Sequence, residues 1–278
     1  MLEPTVWIIV LNYNGKAYTL DCLESLYRTD YPAYKVVVVD NGSKDGSADA
    51  VRAAYPQAEV VETGANLYYA GGNNVGIRLA LDSGADYVLL LNNDTVVGEG
   101  LVRELVAAMR ECPDAGLAGP MIYYYPPKPG GRELIWYAGG IVDFGRGLTA
   151  HRGLREEDKG QYSGVEDTGY ITGCGMLATR ECLENTGLLD TSFVMYAEDA
   201  DLSIRAEKAG YRLLFVPKAV MWHKVSSTMG GEFSPSKIKR KIKSNLLLFA
   251  RHARPYHWLT IPFYVLARAA KFFFSRVR

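Results

Sequence analysis

The architecture of this chain can be approached from residues 87–95, which read YVLLLNNDT. Five apolar or aromatic residues run without alternation into two asparagines and a carboxylate, Asp94. Such an unbroken run is typical of a strand buried on both faces, and sheets built from such strands bind ligands at the strands' carboxyl ends. We therefore expect Asp94 to lie in a crevice at a sheet edge, beside Asn92 and Asn93.

Two interpretations of Asp94 follow from this position. A carboxylate with amide neighbours supplies the hard oxygen ligands that Mg²⁺ or Mn²⁺ prefers when the cation carries a diphosphate. Alternatively, Asp94 forms an Asx turn that leads into a helix starting near Gly100. Residues 87–95 alone leave both interpretations open.

Strand patterns and helix patterns alternate along the first part of the chain. Runs rich in Val, Ile and Leu occur at 6–11, 35–40 and 87–91, with helical patterns at 17–28, 47–55 and 73–83. This alternation predicts βαβ units around a parallel sheet. The strands end in three polar motifs, Asn12-Tyr13-Asn14-Gly15, Asp40-Asn41-Gly42-Ser43 and Asn92-Asn93-Asp94. Because the carboxyl ends of parallel strands share one rim, these motifs predict a nucleotide pocket.

Composition and absent motifs narrow the function. The chain is 48% hydrophobic and 22% charged, and its 278 residues suit one large α/β domain with an appendage. The run at 6–11 is too short for a signal peptide and lacks a basic flank, so we expect a cytoplasmic protein. Four cysteines without a Cys-x-x-Cys spacing predict reduced thiols. Neither a dinucleotide fingerprint nor a P-loop is present, which argues against a dehydrogenase and a P-loop ATPase.

Two motifs of the first half have both a structural and a functional interpretation. Asp40 either caps its turn, which leads into a helix with Ser47 as N-cap, or accepts the imide N–H of a pyrimidine base. Gly71 and Gly72 precede the helix predicted from residue 73, where backbone N–H groups favour an anion. A helix-packing role is expected for Gly76.

The second half contributes an acidic cluster and a histidine. Glu198, Asp199 and Asp201 begin an amphipathic helix that Gly210 ends. Carboxylates in a first turn complement the helix dipole, but their mutual repulsion also raises at least one pKa, as a general base requires. His223 follows a strand-like run and either makes a structural hydrogen bond or, in the company of other ligands, binds a metal.

In this order, the motifs resemble the family 2 glycosyltransferases of the GT-A fold, and most of all their bacterial rhamnosyltransferase-like branch, which builds cell-surface polysaccharides. The resemblance extends from residue 6 to 252 and is specific at residues 10–15, 39–46, 66–76 with 92–94, and 187–205. It implies an α/β fold with a single mixed, mostly parallel sheet, flanking helices and a C-terminal helical tail. It also implies inverting transfer of a sugar from a nucleotide diphosphate, with Mg²⁺ or Mn²⁺ as cofactor.

The resemblance gives each candidate residue an expected role. Asp199 would be the general base, with Glu198 beside it. Asp94, the last carboxylate of the family's D-x-D motif, would hold the metal together with His223. Asn92 stands where many relatives have the first Asp, so we expect modest metal affinity. The nucleotide would be bound by Asp40, which holds the base, and by Asn12, Asn14, Gly42, Gly72, Asn73, Asn92 and Asn93.

The substrates are expected from the same resemblance. The donor would be dTDP-rhamnose or a UDP-hexose, and the acceptor a hydroxyl of a cell-surface glycan or of a lipid-linked sugar. One alternative is a sugar nucleotidyltransferase, which would need a glycine- and base-rich loop after the first strand, where only Lys16 stands. Another is a catalytically silent nucleotide-sugar-binding module, against which Asp94, Asp199 and His223 argue together.

The chain divides by composition near residue 232. We expect residues 1–232 to form the GT-A domain, with a nucleotide-sugar half at about 1–119 and an irregular acceptor half at 120–232. Residues 233–278 hold eleven of the 31 basic residues and no acid. They predict a basic amphipathic tail, peripheral on the inner face of the cell membrane, where each Lys or Arg contributes about 1 kcal/mol. Packing on the domain and pairing in a homodimer remain alternatives, and no nucleic-acid reader motif is present.

Overall fold

The computed structural model describes residues 3–126, 132–225 and 235–260, without the side chains of 235–239. The first 119 residues, predicted to be the nucleotide-sugar half, contain β1 Val6–Asn12, α1 Lys16–Leu26, β2 Tyr34–Asp40, α2 Ser47–Ala54, β3 Glu59–Glu62, α3 Tyr68–Asp82, β4 Tyr87–Asn92, β5 Thr95–Val97 and α4 Leu101–Glu111. The remainder contains β6 Ala115–Tyr124, β7 Ile135–Tyr137, β8 Gly140–Asp143, β9 Leu148–His151, β10 Glu166–Asp167, β11 Gly175–Thr179, α5 Arg180–Thr186, α6 Glu198–Lys208, β12 Arg212–His223 and α7 Pro235–His252.

One mixed sheet with flanking helices organises the molecule, as expected from the sequence. Its strand order is β10-β12-β6-β11-β4-β1-β2-β3, with β5 paired to β12 and β7 paired to β6. The strands β4, β1, β2 and β3 are parallel, and so are β6 and β12. Between these two parallel groups, β11 runs antiparallel to both β4 and β6. Strands β8 and β9 form a separate hairpin.

The strand of residues 87–92 lies at the centre of the sheet, as its unbroken apolar run predicts. Residues 88–91 are all buried, because helices cover both faces of the sheet. Side chains alternate between the two faces, so Ile8 packs towards α1 while Ile9 packs towards α3. The register pairs Asn12 with Asp40 and residue 11 with Asn92, which brings the three predicted polar strand ends onto one rim.

Helix α3 corrects one expectation. It begins at Tyr68 rather than at residue 73, so Gly71 and Gly72 lie inside its first turns instead of before them. A Cβ on Gly72 would lie 2.5 Å from Cδ1 of Leu11, a separation that real contacts do not reach. Glycine therefore allows α3 to pack directly on β1, and it does not interrupt the helix. Gly76 has the packing role that was expected, since its Cβ would meet a side-chain methyl of β1 at 2.5 Å.

Two other local expectations differ from the structure. The N-cap of α2 is Gly46, with a left-handed φ of 73°, and Ser47 is the first helical residue. The hydroxyl of Ser47 donates back to Asp45, so an acid outside the helix replaces the predicted cap. The region after residue 120 is irregular as expected, but β6 continues into it up to Tyr124 before the short strands begin.

The described part of the C-terminal tail packs on the domain, the alternative left open above. Leu248 and Phe249 of α7 are buried, and the ring of Phe249 meets Phe144 edge-on at 5.5 Å. Nε2 of His252 lies 2.8 Å from Oδ1 of Asp201 in α6. None of the helices in residues 3–126, 132–225 and 235–260 combines the length and the apolar character that a bilayer span requires. Much of the predicted membrane anchor, residues 261–278, lies outside the described residues.

Candidate functional site

Asn12 connects the three polar strand ends. Its side chain is fully buried, and Nδ2 donates to Oδ2 of Asp40 and to Oγ of Ser43, both at 3.1 Å. Its Oδ1 accepts from Thr19 Oγ1 at 2.9 Å and from Asn93 Nδ2 at 3.1 Å. The amide of Asn12 is thus engaged with protein atoms and holds the loops after β1, β2 and β4 in one arrangement. We infer that its first task is to position these loops.

Asp40 caps its own turn, which is the structural interpretation given above. Its Oδ1 accepts the backbone N–H of Ser43 at 2.8 Å. A carboxylate oxygen can accept more than one hydrogen bond, so this cap does not prevent contact with a base. Gly42 is required in the turn, because its φ is +80° and a Cβ would lie 2.8 Å from the backbone of Ala65. Asn14 joins the neighbouring loop, with Oδ1 accepting the N–H of Lys44 at 2.8 Å.

The asparagines of α3 are buried, and their hydrogen bonds go to backbone atoms of α3 and of the loop against which it packs. Nδ2 of Asn73 donates to the carbonyl of Tyr69 at 3.0 Å. Asn74 exchanges two hydrogen bonds with the backbone of Leu189, at 2.8 and 3.1 Å, and so ties α3 to the loop that precedes α6. Sequence reasoning did not select Asn74, because nothing local distinguishes it from its neighbour.

Asp94 and His223 lie together although about 130 residues separate them in the chain. Strand β12 pairs with β5 so that His223 is opposite Thr95, and His223 Nε2 lies 3.2 Å from Oδ1 of Asp94. Burial by itself lowers the pKa of His223, but the neighbouring Cys174 and Asp94 side chains outweigh it and raise the pKa to about 10. The predicted metal pair is therefore assembled by the sheet.

A divalent cation fits this pair if substrate oxygens complete its coordination. In the described ranges, no group of three or more His, Cys, Asp or Glu side chains is arranged to hold a metal alone. Mg²⁺ and Mn²⁺ sites that carry phosphates need only one or two protein ligands, because phosphate oxygens and water supply the others. Nδ1 of His223 is buried and has no hydrogen-bond partner, so the ring can turn towards a cation without breaking a bond through that nitrogen.

The acidic start of α6 forms the second part of the site. Tyr196 and Ala197, just before the helix, both have left-handed φ values, 73° and 70°. Two consecutive non-glycine residues in this conformation are costly and persist only where surrounding contacts impose them. The resulting turn presents Glu198 and Asp199 as the first two helical residues. Asp199 is partly exposed, whereas Glu198 is buried and its Oε2 has no hydrogen-bond partner.

The three carboxylates of this turn differ in charge. Burial and the neighbouring Asp199 raise the pKa of Glu198 to about 8. Burial also raises the pKa of Asp199, against hydrogen bonds that lower it. For Asp201, burial is outweighed by hydrogen bonds from His252 and Arg205, which lower its pKa. Asp201 is thus ionised and bonded to Arg205 and His252. Glu198 and Asp199 are left as the candidates for the general base.

Two residues that the sequence analysis missed hold Asp199 in place. Oδ2 of Asp199 accepts the backbone N–H of Gly173 at 2.9 Å. The carbonyl of Gly173 in turn accepts from the hydroxyl of Tyr69 at 2.5 Å. A side chain at position 173 would collide with this hydroxyl, since a Cβ would lie 2.4 Å from it. The only sequence signal was the pair of glycines at 173 and 175, just before β11.

The two parts of the site meet at Cys174. Its thiol is buried, and burial raises its pKa, while the charges of His223, Asp94 and Asp199 all act on it. Asp199 accepts the N–H of Gly173, and the carbonyl of the next residue, Cys174, accepts the N–H of Asn92 at 3.1 Å, two positions before Asp94.

An aromatic cluster borders the metal pair, and the sequence analysis did not select it. Trp136 meets His223 edge-on with ring centres 4.5 Å apart and meets His151 at 4.3 Å. Nδ1 of His151 lies 3.1 Å from the carbonyl of Trp136. Burial lowers the pKa of His151 to about 4, so this imidazole is neutral near pH 7. The cluster therefore packs against the ring of His223, whose Nε2 lies beside Asp94.

Comparison with proteins of known sequence identifies the family of the chain. The family model for glycosyl transferase family 2 matches residues 7–187. The chain is 30% identical over 268 residues to the N-acetylglucosaminyl-diphospho-decaprenol L-rhamnosyltransferase of Mycobacterium tuberculosis. That alignment covers 88% of this chain and 84% of the mycobacterial protein.

Two solved structures share the fold. GalNAc-T7 with UDP, GalNAc and Mn²⁺ aligns with a TM-score of 0.68 and 17% identity, over 89% of this chain and 48% of that one. The mannosyltransferase PcManGT from Pyrobaculum calidifontis, in complex with GDP-Man and Mn²⁺, aligns with a TM-score of 0.58 and 20% identity, over 97% of this chain and 76% of that one. The GT-A fold is confirmed, and the chain belongs to glycosyl transferase family 2.

Proposed function

We propose that the protein is an inverting, metal-dependent hexosyltransferase that acts in the synthesis of cell-surface polysaccharide. The donor is dTDP-rhamnose or a UDP-hexose, and the acceptor is a hydroxyl of a glycan or of a lipid-linked sugar. One observation carries the proposal: Asp199, partly exposed and with a raised pKa, bonds to Gly173, and the next residue, Cys174, bonds to Asn92 at the strand end that leads to the Asp94–His223 pair. The name of the mycobacterial relative, which specifies a rhamnosyl transfer to a diphospho-decaprenol sugar, supports this choice of substrates.

Asp199 has the properties of the general base. Its burial raises the pKa towards the operating pH, so the carboxylate gains affinity for the proton of an acceptor hydroxyl. The backbone N–H groups of Gly173 and Ala200 hold both oxygens and orient the carboxylate. Glu198, whose pKa is near 8, stays largely protonated beside it and does not add a second repelling charge.

Asp94 and His223 would hold Mg²⁺ or Mn²⁺, with Asn92 beside them. When bound, the cation would neutralise charge on the leaving nucleoside diphosphate. The chain itself keeps Asp94 close to His223 through β5 and β12 and packs the ring of Trp136 against that of His223. A single displacement between Asp199 and the metal pair would invert the anomeric carbon.

The strand-end loops would bind the nucleotide. Asp40 would accept from the base, while Asn12, Asn14 and Gly42 shape the pocket around it. The other members of the proposed nucleotide site are Gly72, Asn73, Asn92 and Asn93. In this proposal residues 1–119 serve the donor, 120–232 serve the acceptor, and the tail brings the enzyme to the inner face of the membrane.

The experiment is a donor screen with two readouts. Thermal unfolding of the full chain is measured with each nucleotide diphosphate sugar, with and without Mn²⁺, because a ligand that binds the folded state raises the melting temperature. Transfer to a lipid-linked acceptor is then followed with the stabilising donor, and the anomeric configuration of the product is read by NMR. A retained configuration, or transfer that is unaffected by chelation of metal, would contradict the proposal.

A further inference from the structure

The start of α7 carries basic residues that stand apart from its ion pairs. Arg251, near the end of the helix, contacts Asp190, Ser192 and Asp201. Arg240 and Lys241, near its start, form no ion pair with any residue in the described part of the chain, and neither does the exposed Lys243. Unpaired bases on a helix that is otherwise fastened to the catalytic domain need a ligand, or they are solvated.

Contacts of the next helical turn define where these bases lie. Oγ of Ser244 donates to the carbonyl of Met195 at 2.7 Å, and the side chain of Asn245 accepts from Thr149 Oγ1 at 3.3 Å. Residues four apart share one face of a helix, so Arg240 lies one turn from Ser244 and residue 241 one turn from Asn245. The start of α7 therefore runs between the turn before α6 and strand β9.

The electrostatic neighbours of the two bases agree with this placement. The charge of Arg240 acts on the phenol of Tyr196, which lies two residues before Glu198. The charge of Lys241 acts on His151, which follows Thr149 by two residues and so shares its face of β9. Arg240 and Lys241 thus lie beside residues of 120–232, the half that is proposed to serve the acceptor.

A chain of ring contacts connects this position with the reaction centre. His151 contacts Trp136, and Trp136 contacts His223, which lies beside Asp94. The two rings separate the bases of α7 from Asp94, where the donor diphosphate is proposed to bind. An anion held by α7 would therefore belong to the acceptor and not to the donor.

Resting on the proposed function, we propose that Arg240 and Lys241 bind the phosphate or diphosphate group of the acceptor. A guanidinium grips phosphate oxygens in a fork, and an ammonium adds a mobile point charge. Anchored there, the acceptor sugar reaches inwards past Tyr196 to Asp199. This explains why a helix after the catalytic domain is fastened so firmly to the turn that carries the base.

The test uses the full chain and two acceptors that share one sugar. In one acceptor a diphosphate joins the sugar to a short prenyl chain, and in the other a neutral ether replaces the diphosphate. R240Q and K241Q are expected to raise the KM for the diphosphate acceptor about tenfold each, because each removes a charge-assisted contact. The KM for the neutral acceptor and for the donor should stay unchanged.

K243Q is the matched control. Lys243 is exposed and, at about 100° per residue, lies about 160° around α7 from Lys241, and its loss should leave every KM unchanged. Equal KM changes for both acceptors, or none for either, would overturn the proposal. So would a double variant that loses sedimentation with phosphatidylglycerol vesicles but keeps the KM for the short diphosphate acceptor, since the bases would then serve lipid headgroups.

A separate binding measurement distinguishes this site from the proposed function. Calorimetry with inorganic pyrophosphate is performed while a nucleoside diphosphate saturates the donor pocket. Pyrophosphate should bind the parent and K243Q but not the R240Q and K241Q double variant. If no acceptor is glycosylated and this difference is still seen, the anion site stands and the assigned reaction fails. Equal pyrophosphate binding by all variants would overturn the site.

Discussion

The three carboxylates at the start of α6 show how different surroundings give side chains of the same chemical type different pKa values. Asp201 is held by Arg205 and His252 and remains ionised, while Glu198 lies in a buried place that favours its neutral form. Asp199 is partly exposed and oriented by backbone N–H groups, so it alone combines access with a raised pKa. Sequence spacing could not separate the three, because only Arg205 lies on the same helix, while His252 comes from α7 and Gly173 from the loop before β11.

Asp199→Asn should lower kcat by about 10²- to 10⁴-fold, because an amide cannot take the proton of the acceptor hydroxyl. Initial rates at saturating donor measure this loss, and nucleotide affinity by calorimetry should be almost unchanged. Glu207→Gln, an exposed change on the same helix, is the control. Near-normal turnover of Asp199→Asn would assign the base to Glu198.

Glu198→Gln should change how stability depends on pH. In the folded state the pKa of Glu198 is about 8, above its ordinary 4.5, so the folded protein binds the proton more tightly than the unfolded chain. Stability is therefore highest below pH 4.5 as far as this group is concerned, and falls as pH rises towards 8, by on the order of a few kcal/mol. The variant lacks this penalty.

Urea unfolding at several pH values measures the effect. The stability of Glu198→Gln relative to the parent should increase between pH 4.5 and 8 and then level off. Glu207→Gln should follow the parent throughout. Parallel curves for Glu198→Gln and the parent would show that Glu198 ionises normally in the folded protein.

Asp94→Ala and His223→Ala should differ in their effect on metal. The carboxylate contributes charge and hard oxygen, so its loss should abolish Mn²⁺-dependent binding of nucleoside diphosphate. The imidazole is a neutral ligand when it binds a metal, so its loss should weaken Mn²⁺ only partly. Titration of Mn²⁺ by calorimetry with the nucleotide present compares them. Parent-like titrations of both variants would place the metal elsewhere.

Secondary-structure elements carry these residues into contact, and helix α3 shows how close the packing is. A Cβ on Gly76 would lie 2.5 Å from Cγ2 of Ile9 and 3.1 Å from Cγ2 of Val39. The helix therefore rests directly on β1 and β2. This position keeps Tyr69 and Asn74 in reach of the loops around Asp199.

Gly76→Ala should destabilise the protein by about 1–3 kcal/mol, because the added methyl group overpacks the interface. The higher helix propensity of alanine, about 1 kcal/mol, offsets only part of this cost. Gly164→Ala is the control, since no atom lies within 4 Å of its Cβ position. Thermal and urea unfolding compare the two. Equal stability of Gly76→Ala and the parent would mean that α3 shifts without cost.

The elements that could be predicted are those with a strong local pattern. Unbroken apolar runs predict the strands β1, β2 and β4. Parallel pairing of these strands then predicts that their polar ends lie on one rim. Strands β3 and β5 have only four and three residues, too few for a pattern. The start of α3 was missed because a pair of glycines reads locally as a break, although tight packing is what requires them.

The contacts that complete the candidate site could not be predicted, because they join distant segments. Tyr69 and Gly173 are 104 positions apart, and no local feature of either residue indicates the hydrogen bond between them. Trp136 and His151 come from a region whose composition predicts irregular strands and long loops without indicating which side chains meet. Family resemblance supplied expected roles for individual residues, but it did not supply these supporting neighbours.

At the scale of the whole molecule, α7 packs against three separate parts of the domain. This helix contacts the turn before α6 through Ser244, the acidic helix through His252, and strand β9 through Asn245. The segment just after it is more exposed, with Trp258 43% and Leu259 72% accessible. The described part of the tail thus has two regions, α7 on the domain and a following segment that contacts the domain through His257 and Thr260 while exposing Trp258 and Leu259.

Deleting residues after Arg254 should leave the domain folded and active on a short soluble acceptor but poor on a long lipid-linked one. Aromatic and basic side chains of residues 255–278 suit an anionic lipid surface, and their removal leaves the contacts of α7 intact. Sedimentation with neutral and anionic vesicles, at low and high salt, compares full-length and truncated protein. Equal partitioning of the two would favour a tail that packs on the domain or pairs subunits.

The register of β5 with β12 also has a consequence for synthesis on the ribosome. Asp94 is made about 130 residues before its partner His223, so at roughly 5–20 residues per second it waits about 6–26 seconds. Helix α7, which contacts Asp201, is translated later still. The loops predicted to bind the nucleotide are therefore synthesised well before the last residues of the candidate site.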